Sequence, residues 1–289
     1  MGTQIHAGTN YRRVVELVQS GAVGPVAEAH VWSAAKYGNV ERPADTPAVP
    51  AGLHFDLWLG PVEARPYHPA YLPGTWRSWW AFGGGALGDF GCHYMDLPHW
   101  ALDLRGCSSV EVVDGPPVHA ESVPPWLVVR YAYPARGAMP AVNLTWYHGG
   151  RQPGMLKTVL PAAKTKADGE KTPPWNSGVL FVGAKGMLLA DYTRHVLLPQ
   201  DRFAGFTPPA PTIPDSIGHH EEWILACKSG TPTTCNFDYS GALTEAVLLG
   251  NVAHRAGAKL EWNDRDLRAT NCPKAEEFVQ HRYRDGWRI

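Results

Sequence analysis

Asp89 and His93 stand four positions apart in the run GGGALGDFGCHYMDLPHWALDL, and an α-helix brings residues at that spacing onto one face. A carboxylate beside an imidazole that titrates near neutrality is the pair a general acid/base step needs. Asp96 and Trp100 extend the same stripe. The spacing also admits a purely structural reading, in which Asp89 caps the helix and His93 is a satisfied, partly buried histidine.

Residues suited to a sugar or polyol surround this pair in the sequence. Trp58, Tyr67, Tyr71, Trp76, Trp79 and Trp80 can form stacking walls, and Arg77 carries the planar fork that binds a carboxylate or hydroxyls. Most of these aromatics are expected to pack the core of a Pro-rich loop, leaving a minority to touch ligand. Tyr94 and Asp96, on the candidate helix, and Tyr11, near the chain start, complete the substrate contacts on that side. In WYHGG, Trp146 and His148 fall at a strand end, from which a side chain reaches a cleft or a turn. GHHEEW offers His219, His220 and Glu222 as metal donors, but adjacent histidines point different ways and at most one can join a site. The candidate set for a divalent metal is therefore Asp89, His93 and His220.

Gly83, Gly85 and Gly88 satisfy G-x-G-x-x-G, the dinucleotide-binding pattern. That fingerprint requires a preceding strand and a following parallel strand. Here it follows RSWWAF and precedes segments that read as antiparallel strands, so a plain helix-entry turn is the expectation. There is no Walker-type P-loop.

These residues are held by a chain of 289 residues with 26 Lys+Arg against 27 Asp+Glu, a net charge of −1 and 44% apolar content. The balance argues against a nucleic-acid or anionic-membrane binder. No segment approaches the roughly 20 apolar residues of a membrane span, and the start has no signal-peptide core, so a soluble cytoplasmic protein is expected. Twelve Trp, 30 Gly and 26 Pro predict long irregular loops with aromatic walls. Five Cys without a CxxC pair predict reduced, mostly buried thiols.

NYRRVVELVQSG predicts a helix capped by Asn10, and PVAEAHVWSA a strand. Residues 36–82 predict a Trp-rich loop packed by its own aromatics. The Gly-rich turn then enters a helix kinked at Pro98. SSVEVVDG, WLVVRYAY, AVNLTWYHG, GVLFVGAKG and GMLLADYTRHVLL predict antiparallel strands. HHEEWILACKSG and SGALTEAVLLGNVAHRAG predict helices, the second capped by Ser240 and ended near Gly257, and the tail predicts a short surface helix. The fold class is α+β: an open, mainly antiparallel sheet with helices on one face.

The opening GTQIHAGTNYRRVVELVQSGAVGPV, the loop LWLGPVEARPYHPAYLPGTWRSWWAFGGGALGDFGCHYMDLPHWAL and the closing HHEEWILACKSGTPTTCNFDYSGALTEAVLLGNVAHRAGAKLEWN resemble the Gfo/Idh/MocA family of sugar and inositol oxidoreductases. GGGALGDFGCHYMDL is the most diagnostic stretch. The resemblance implies that Asp89 and His93, matching the family's D-x-G-x-H, act at the substrate beside the nicotinamide. Family members begin with a nucleotide-binding Rossmann domain bearing a glycine-rich loop and a Glu-Lys-Pro motif, and this sequence shows neither. Residues 1–25 then read as the end of that domain with its linking helix, 26–262 as the substrate domain, and 263–289 as a return segment. No NAD(P) site is expected in the chain. The implied function is a carbohydrate- or polyol-active protein, active only with a separate nucleotide-binding subunit or inactive altogether, and assembling as a homodimer or tetramer through the open sheet. Two alternatives stay open: a cofactor-free or metal-assisted sugar hydrolase, lyase or isomerase using the same pocket, and a non-catalytic carbohydrate-binding or oligomeric scaffold.

Overall fold

The computed structural model describes residues 2–160 and 173–287. Helix α1 (Thr9–Gln19) buries Tyr11, Val14, Val15, Leu17 and Val18. Its N-cap is Gly8 rather than Asn10. The Asn10 side chain instead donates to the carbonyls of Asp191 and Arg194 at 2.8 and 3.1 Å and bonds His195 Nδ1 at 2.7 Å. Those bonds tie the start of α1 to a turn in the sheet.

The strands are β1 (Val26–Ser33), β2 (Ser109–Asp114), β3 (Leu127–Tyr133), β4 (Val142–His148), β5 (Gly178–Gly183), β6 (Gly186–Ala190), β7 (His195–Leu198), β8 (Leu260–Asn263) and β9 (Arg268–Ala269). They form a sheet in the order β7-β6-β5-β1-β4-β3-β2-β8-β9. Only β1 and β4 run parallel, with Glu28 opposite Asn143 and Ser33 opposite His148; the other pairings are antiparallel. GMLLADYTRHVLL, expected as one strand, is a hairpin. Asp191 Oδ1 accepts from the backbone N–H of Thr193 and Arg194 at 2.9 and 3.0 Å, a side-chain turn that reverses the chain between β6 and β7.

Period-two alternation gives the sheet one face buried along its length and a second that is buried over β1 and β5–β7 but exposed at Arg130 of β3 and Asn143 of β4. Val31, Val129, Tyr131, Leu144, Trp146, Phe181 and Leu188 join the main core with the helices. Trp32, Leu180, Leu189 and Leu198 form a second cluster with Leu156 of α5 (Leu156–Val159). The Trp-rich loop contains α2 (Phe55–Leu59) and two single 3-10 turns, packed around Phe55, Leu59, Tyr71 and Trp79.

Helices α3 (Gly85–Tyr94) and α4 (Asp96–Ala101) carry the expected chemistry, and the break between them falls at Met95, three residues before Pro98. Pro98 lacks the backbone N–H that would bond the Tyr94 carbonyl four residues back, so the helical ladder that runs through Met95–Gly91 and His99–Met95 is interrupted between α3 and α4, as expected of a proline there. α6 (His219–Ser229) is largely solvent-facing, and α7 (Phe237–Ala256) is the long buried helix. Asn236, not Ser240, caps α7 by accepting from the Tyr239 N–H at 3.0 Å, and Gly257 ends it in the left-handed conformation at φ +69°. α3 meets α7 closely because Gly91 has no Cβ; one placed there would stand 2.8 Å from Val247 Cγ1. A short α8 (Glu276–Val279) begins the C-terminal return. The five cysteines are unpaired, with Cys92 and Cys107 buried, Cys227 exposed, and Cys235 and Cys272 in between. Among the described residues no helix is long and apolar enough to cross a membrane.

Candidate functional site

The turn before α3 places the arginine over the helix. Gly83 packs on the Trp76 ring, and Gly85, at φ +64°, fits against Val123, where a Cβ would lie 2.9 Å from that side chain. Asp89, on the first full turn of α3, then receives Arg77 Nε on its Oδ2 at 2.7 Å and the Tyr37 hydroxyl on the same oxygen at 3.1 Å. The Arg77 guanidinium is stacked 4.4 Å over Trp76 and lies 6.0 Å from the Tyr37 ring. Both side chains of the ion pair stay partly open to solvent, so the pair is worth at most about 1 kcal/mol of stability; what it supplies is orientation. Burial, then the Asp89 carboxylate, raises the pKa of the Tyr37 hydroxyl, which keeps it a donor. Among the described residues nothing donates to Asp89 Oδ1, so that oxygen can accept a substrate hydroxyl.

His93 lies one turn further along α3. Its Nδ1 is covered and has no hydrogen-bond partner, and its carbonyl accepts the Tyr11 hydroxyl at 3.2 Å. Among the described residues no hydrogen bond joins it to Asp89. The carboxylate is thus held by Arg77 and Tyr37 and does not orient the imidazole directly. Beside His93, the Tyr94 ring stacks on Tyr192 at 4.4 Å with 15° between planes, and Tyr11 meets Tyr192 edge-on at 6.0 Å. Tyr94 and Tyr192 line a cleft of about 570 Å³ with Asn176, Ser177, Asp191 and Arg194, which neither Asp89 nor His93 borders. Burial raises the pKa of both tyrosines, and Tyr192 feels the carboxylates of Asp89 and Asp96 as well.

Other expected contacts lie elsewhere. Asp96 is fully buried: it bonds His6 Nδ1 at 2.9 Å and accepts the Tyr239 hydroxyl at 2.6 Å, while His6 stacks on Trp100 at 3.9 Å. Trp146 and His148 do not reach a cleft. Both are buried, Trp146 Nε1 donates to His148 Nδ1 at 2.9 Å, and burial pulls the His148 pKa down to about 4. Tyr11 is buried behind His93. Tyr67 packs edge-on to Phe55 inside the loop, with Trp58, Tyr71 and Trp79 in the same cluster. Trp80 faces a different cavity and donates to the His119 carbonyl at 3.1 Å.

Among the described residues no three His, Cys, Asp or Glu side chains come together to hold a metal ion, so the set Asp89, His93, His220 is not assembled. His220 lies beside His219 at the start of α6, and Glu222 bonds the backbone N–H of Thr234. The glycine-rich turn does not fit a dinucleotide either. No strand leads into it, and Val123 and Asn251, which donates to the Gly84 carbonyl at 2.8 Å, fill the space a pyrophosphate would need. Sequence reasoning missed Tyr37, Tyr192 and Arg194. Nothing in the Pro-rich loop singles out Tyr37, and the other two fall inside GMLLADYTRHVLL, whose turn at Asp191 the strand reading passed over.

Residues 8–139 match the C-terminal alpha/beta domain model of the Gfo/Idh/MocA oxidoreductase family. The segment includes α1, β1, the aromatic loop and both Asp89 and His93. No curated protein sequence matches the chain. Among solved structures, an oxidoreductase from Thermotoga maritima aligns at 13% identity and a TM-score of 0.50, covering 90% of this chain and 61% of that one. GenD2 from gentamicin A biosynthesis, solved with NAD, aligns at 17% identity and 0.50, covering 91% and 63%. The WlbA dehydrogenase from Bordetella pertussis, solved with NADH and UDP-GlcNAcA, aligns at 14% identity and 0.50, covering 90% and 62%. At these identities the likeness establishes the fold, and this chain spans little more than three fifths of each relative.

Proposed function

We propose that this chain is the carbohydrate-binding side of a Gfo/Idh/MocA-type oxidoreductase, in which Asp89 and His93 manage the proton of a sugar or polyol hydroxyl. The observation that carries the reading is the Arg77–Asp89–Tyr37 cluster, built at the start of α3 within the segment that matches the family domain. Arg77 and Tyr37 both hold Oδ2, which fixes the carboxylate and leaves Oδ1 as an acceptor for one hydroxyl. His93, one turn away, takes the proton of the hydroxyl being oxidised. Trp76, half-buried beneath Arg77, holds the guanidinium at the site by stacking. GenD2 and WlbA were solved with nicotinamide cofactors, WlbA with a nucleotide sugar as well. The glycine-rich turn here is filled by the protein itself, so the hydride acceptor would be held outside the described residues. The open sheet is the surface on which copies of the chain would assemble.

A panel of monosaccharides, sugar acids and cyclic polyols, titrated by calorimetry against the wild-type chain and Asp89→Asn, tests this reading. At least one ligand should saturate the wild type, with affinity falling about tenfold or more in the variant. If none binds, or if Asp89→Asn binds as tightly as wild type, the assignment is wrong. NADH added to the chain alone should give no energy transfer from tryptophan; saturable transfer would place the cofactor site in this chain.

A further inference from the structure

A cavity of about 840 Å³ lies away from Asp89, between the Trp-rich loop, α7 and the C-terminal return. Two arginines from distant parts of the sequence enter it. Arg65 lies 5.1 Å over Phe82 and 5.9 Å from Tyr71, and its Nε and Nη1 are covered from solvent with no hydrogen-bond partner. Arg255, from the last turn of α7, lies 4.2 Å over Phe278 and 5.2 Å over Trp80. Neither makes an ion pair among the described residues, and burial lowers the pKa of Arg255.

The carboxylates around the cavity do not fill this role. Glu121 is committed to Arg42, which it meets through both oxygens. Glu63 and Glu277 are exposed at the rim, and Glu276 sits at the start of α8. Stacking on aromatic rings fixes the plane of each guanidinium while leaving its donors unused, an arrangement that suits a tetrahedral or planar oxyanion. A half-buried guanidinium without a partner is unfavourable until an anion supplies one. The acidic rim disfavours a long polyanion such as nucleic acid and admits a small one.

The far wall is a strap. Arg284 donates from its backbone N–H to the Pro61 carbonyl at 3.1 Å, from Nε to the Gly60 carbonyl at 2.7 Å, and from Nη1 to Asp56 Oδ1 at 2.6 Å. This clasp holds His281 and Arg282 against the cavity mouth.

We propose that this cavity binds a small phosphate monoester, whose dianionic phosphate is taken between the guanidinium groups of Arg65 and Arg255. The two ring-stacked guanidiniums match the two charges, Arg282 at the mouth adds to the positive field, and 840 Å³ leaves room for an organic group beyond the phosphate. The site is independent of the sugar reading at Asp89.

Glycerol phosphate and a hexose phosphate, with inorganic phosphate, glycerol and the free hexose as controls, would be titrated against the full chain by calorimetry and by the fluorescence of Trp80. At least one ester should bind saturably while the unphosphorylated controls do not. Arg65→Gln and Arg255→Gln should each weaken binding about tenfold or more, Arg255→Lys should recover only part of the loss, and Asp89→Asn should bind the ester normally. Arg284→Ala keeps both guanidiniums and should weaken binding by releasing the strap. The proposal fails if no ester binds, if the Arg65→Gln/Arg255→Gln double variant, folded by circular dichroism, binds as wild type does, or if inorganic phosphate binds as tightly as the esters.

Discussion

Removing the Asp96 carboxylate separates a structural role from a substrate-binding one. Asp96 is 0% exposed and sits between two groups that have no access to water: His6, 2% exposed, bonds it at 2.9 and 3.1 Å, and the Tyr239 hydroxyl donates to it at 2.6 Å. Asp96→Ala strands both. Each orphaned buried donor costs about 1–3 kcal/mol, so the variant should lose about 2–6 kcal/mol, a large part of the stability of a typical domain. Tyr239 keeps its second bond, to the Asp96 carbonyl at 3.0 Å, which draws the expectation toward the lower half of that range. Asp96→Asn retains one acceptor and should cost less than Asp96→Ala. Urea unfolding followed by tryptophan fluorescence measures both, and sugar affinity under folding conditions should match wild type in Asp96→Asn. An Asp96→Ala variant within about 0.5 kcal/mol of wild type, or an Asp96→Asn variant of normal stability that no longer binds sugar, would refute the argument that this carboxylate serves the core.

His99 and His148 give a pH signature. Burial depresses both from 6.5 to about 4, so the unfolded chain takes up their protons first as the medium is acidified. Stability should therefore be complete above pH 6.5 and decline toward pH 4, by up to about 3 kcal/mol per histidine, and His148→Gln should flatten its share in urea titrations across that range. Arg77→Ala should cut sugar affinity about tenfold while shifting stability by less than about 1 kcal/mol, since the ion pair with Asp89 is partly exposed; calorimetry and thermal melting read the two effects apart. Gly91→Ala should destabilise by about 1–3 kcal/mol, because its Cβ would press on Val247 across the α3–α7 contact; an unchanged melting temperature would show that the helices can part at no cost.

Much of the architecture was legible because its signals are local. Alternating apolar residues marked β1 to β5, and the sheet is open and mostly antiparallel as those runs implied. The errors fell where a side chain bonded across the fold instead of along the chain. Asn10 had the composition of an N-cap but is used by the β6–β7 turn, and Ser240 looked like a cap while Asn236 performs that role. Pro98, by contrast, acts locally as the sequence implied: the bond it cannot make to the Tyr94 carbonyl is where α3 gives way to α4.

Sequence spacing by itself determined that Asp89 and His93 share a helix, since a four-residue interval on α3 needs no distant partner. It also determined that the aromatic loop packs on itself, because Phe55, Tyr71 and Trp79 are too apolar to stay in water. Only the tertiary structure decided which aromatics face a ligand and which polar groups are spent on the core. Tyr37 reaches Asp89 from 52 positions away, His6 meets Asp96 from 90, and Arg65 shares a cavity with Arg255. Such pairings depend on where the sheet and helices bring the chain back together, and composition and periodicity carry no record of it. His148 and Asp96 have the chemistry of site residues, but burial and hydrogen bonding commit both to the interior.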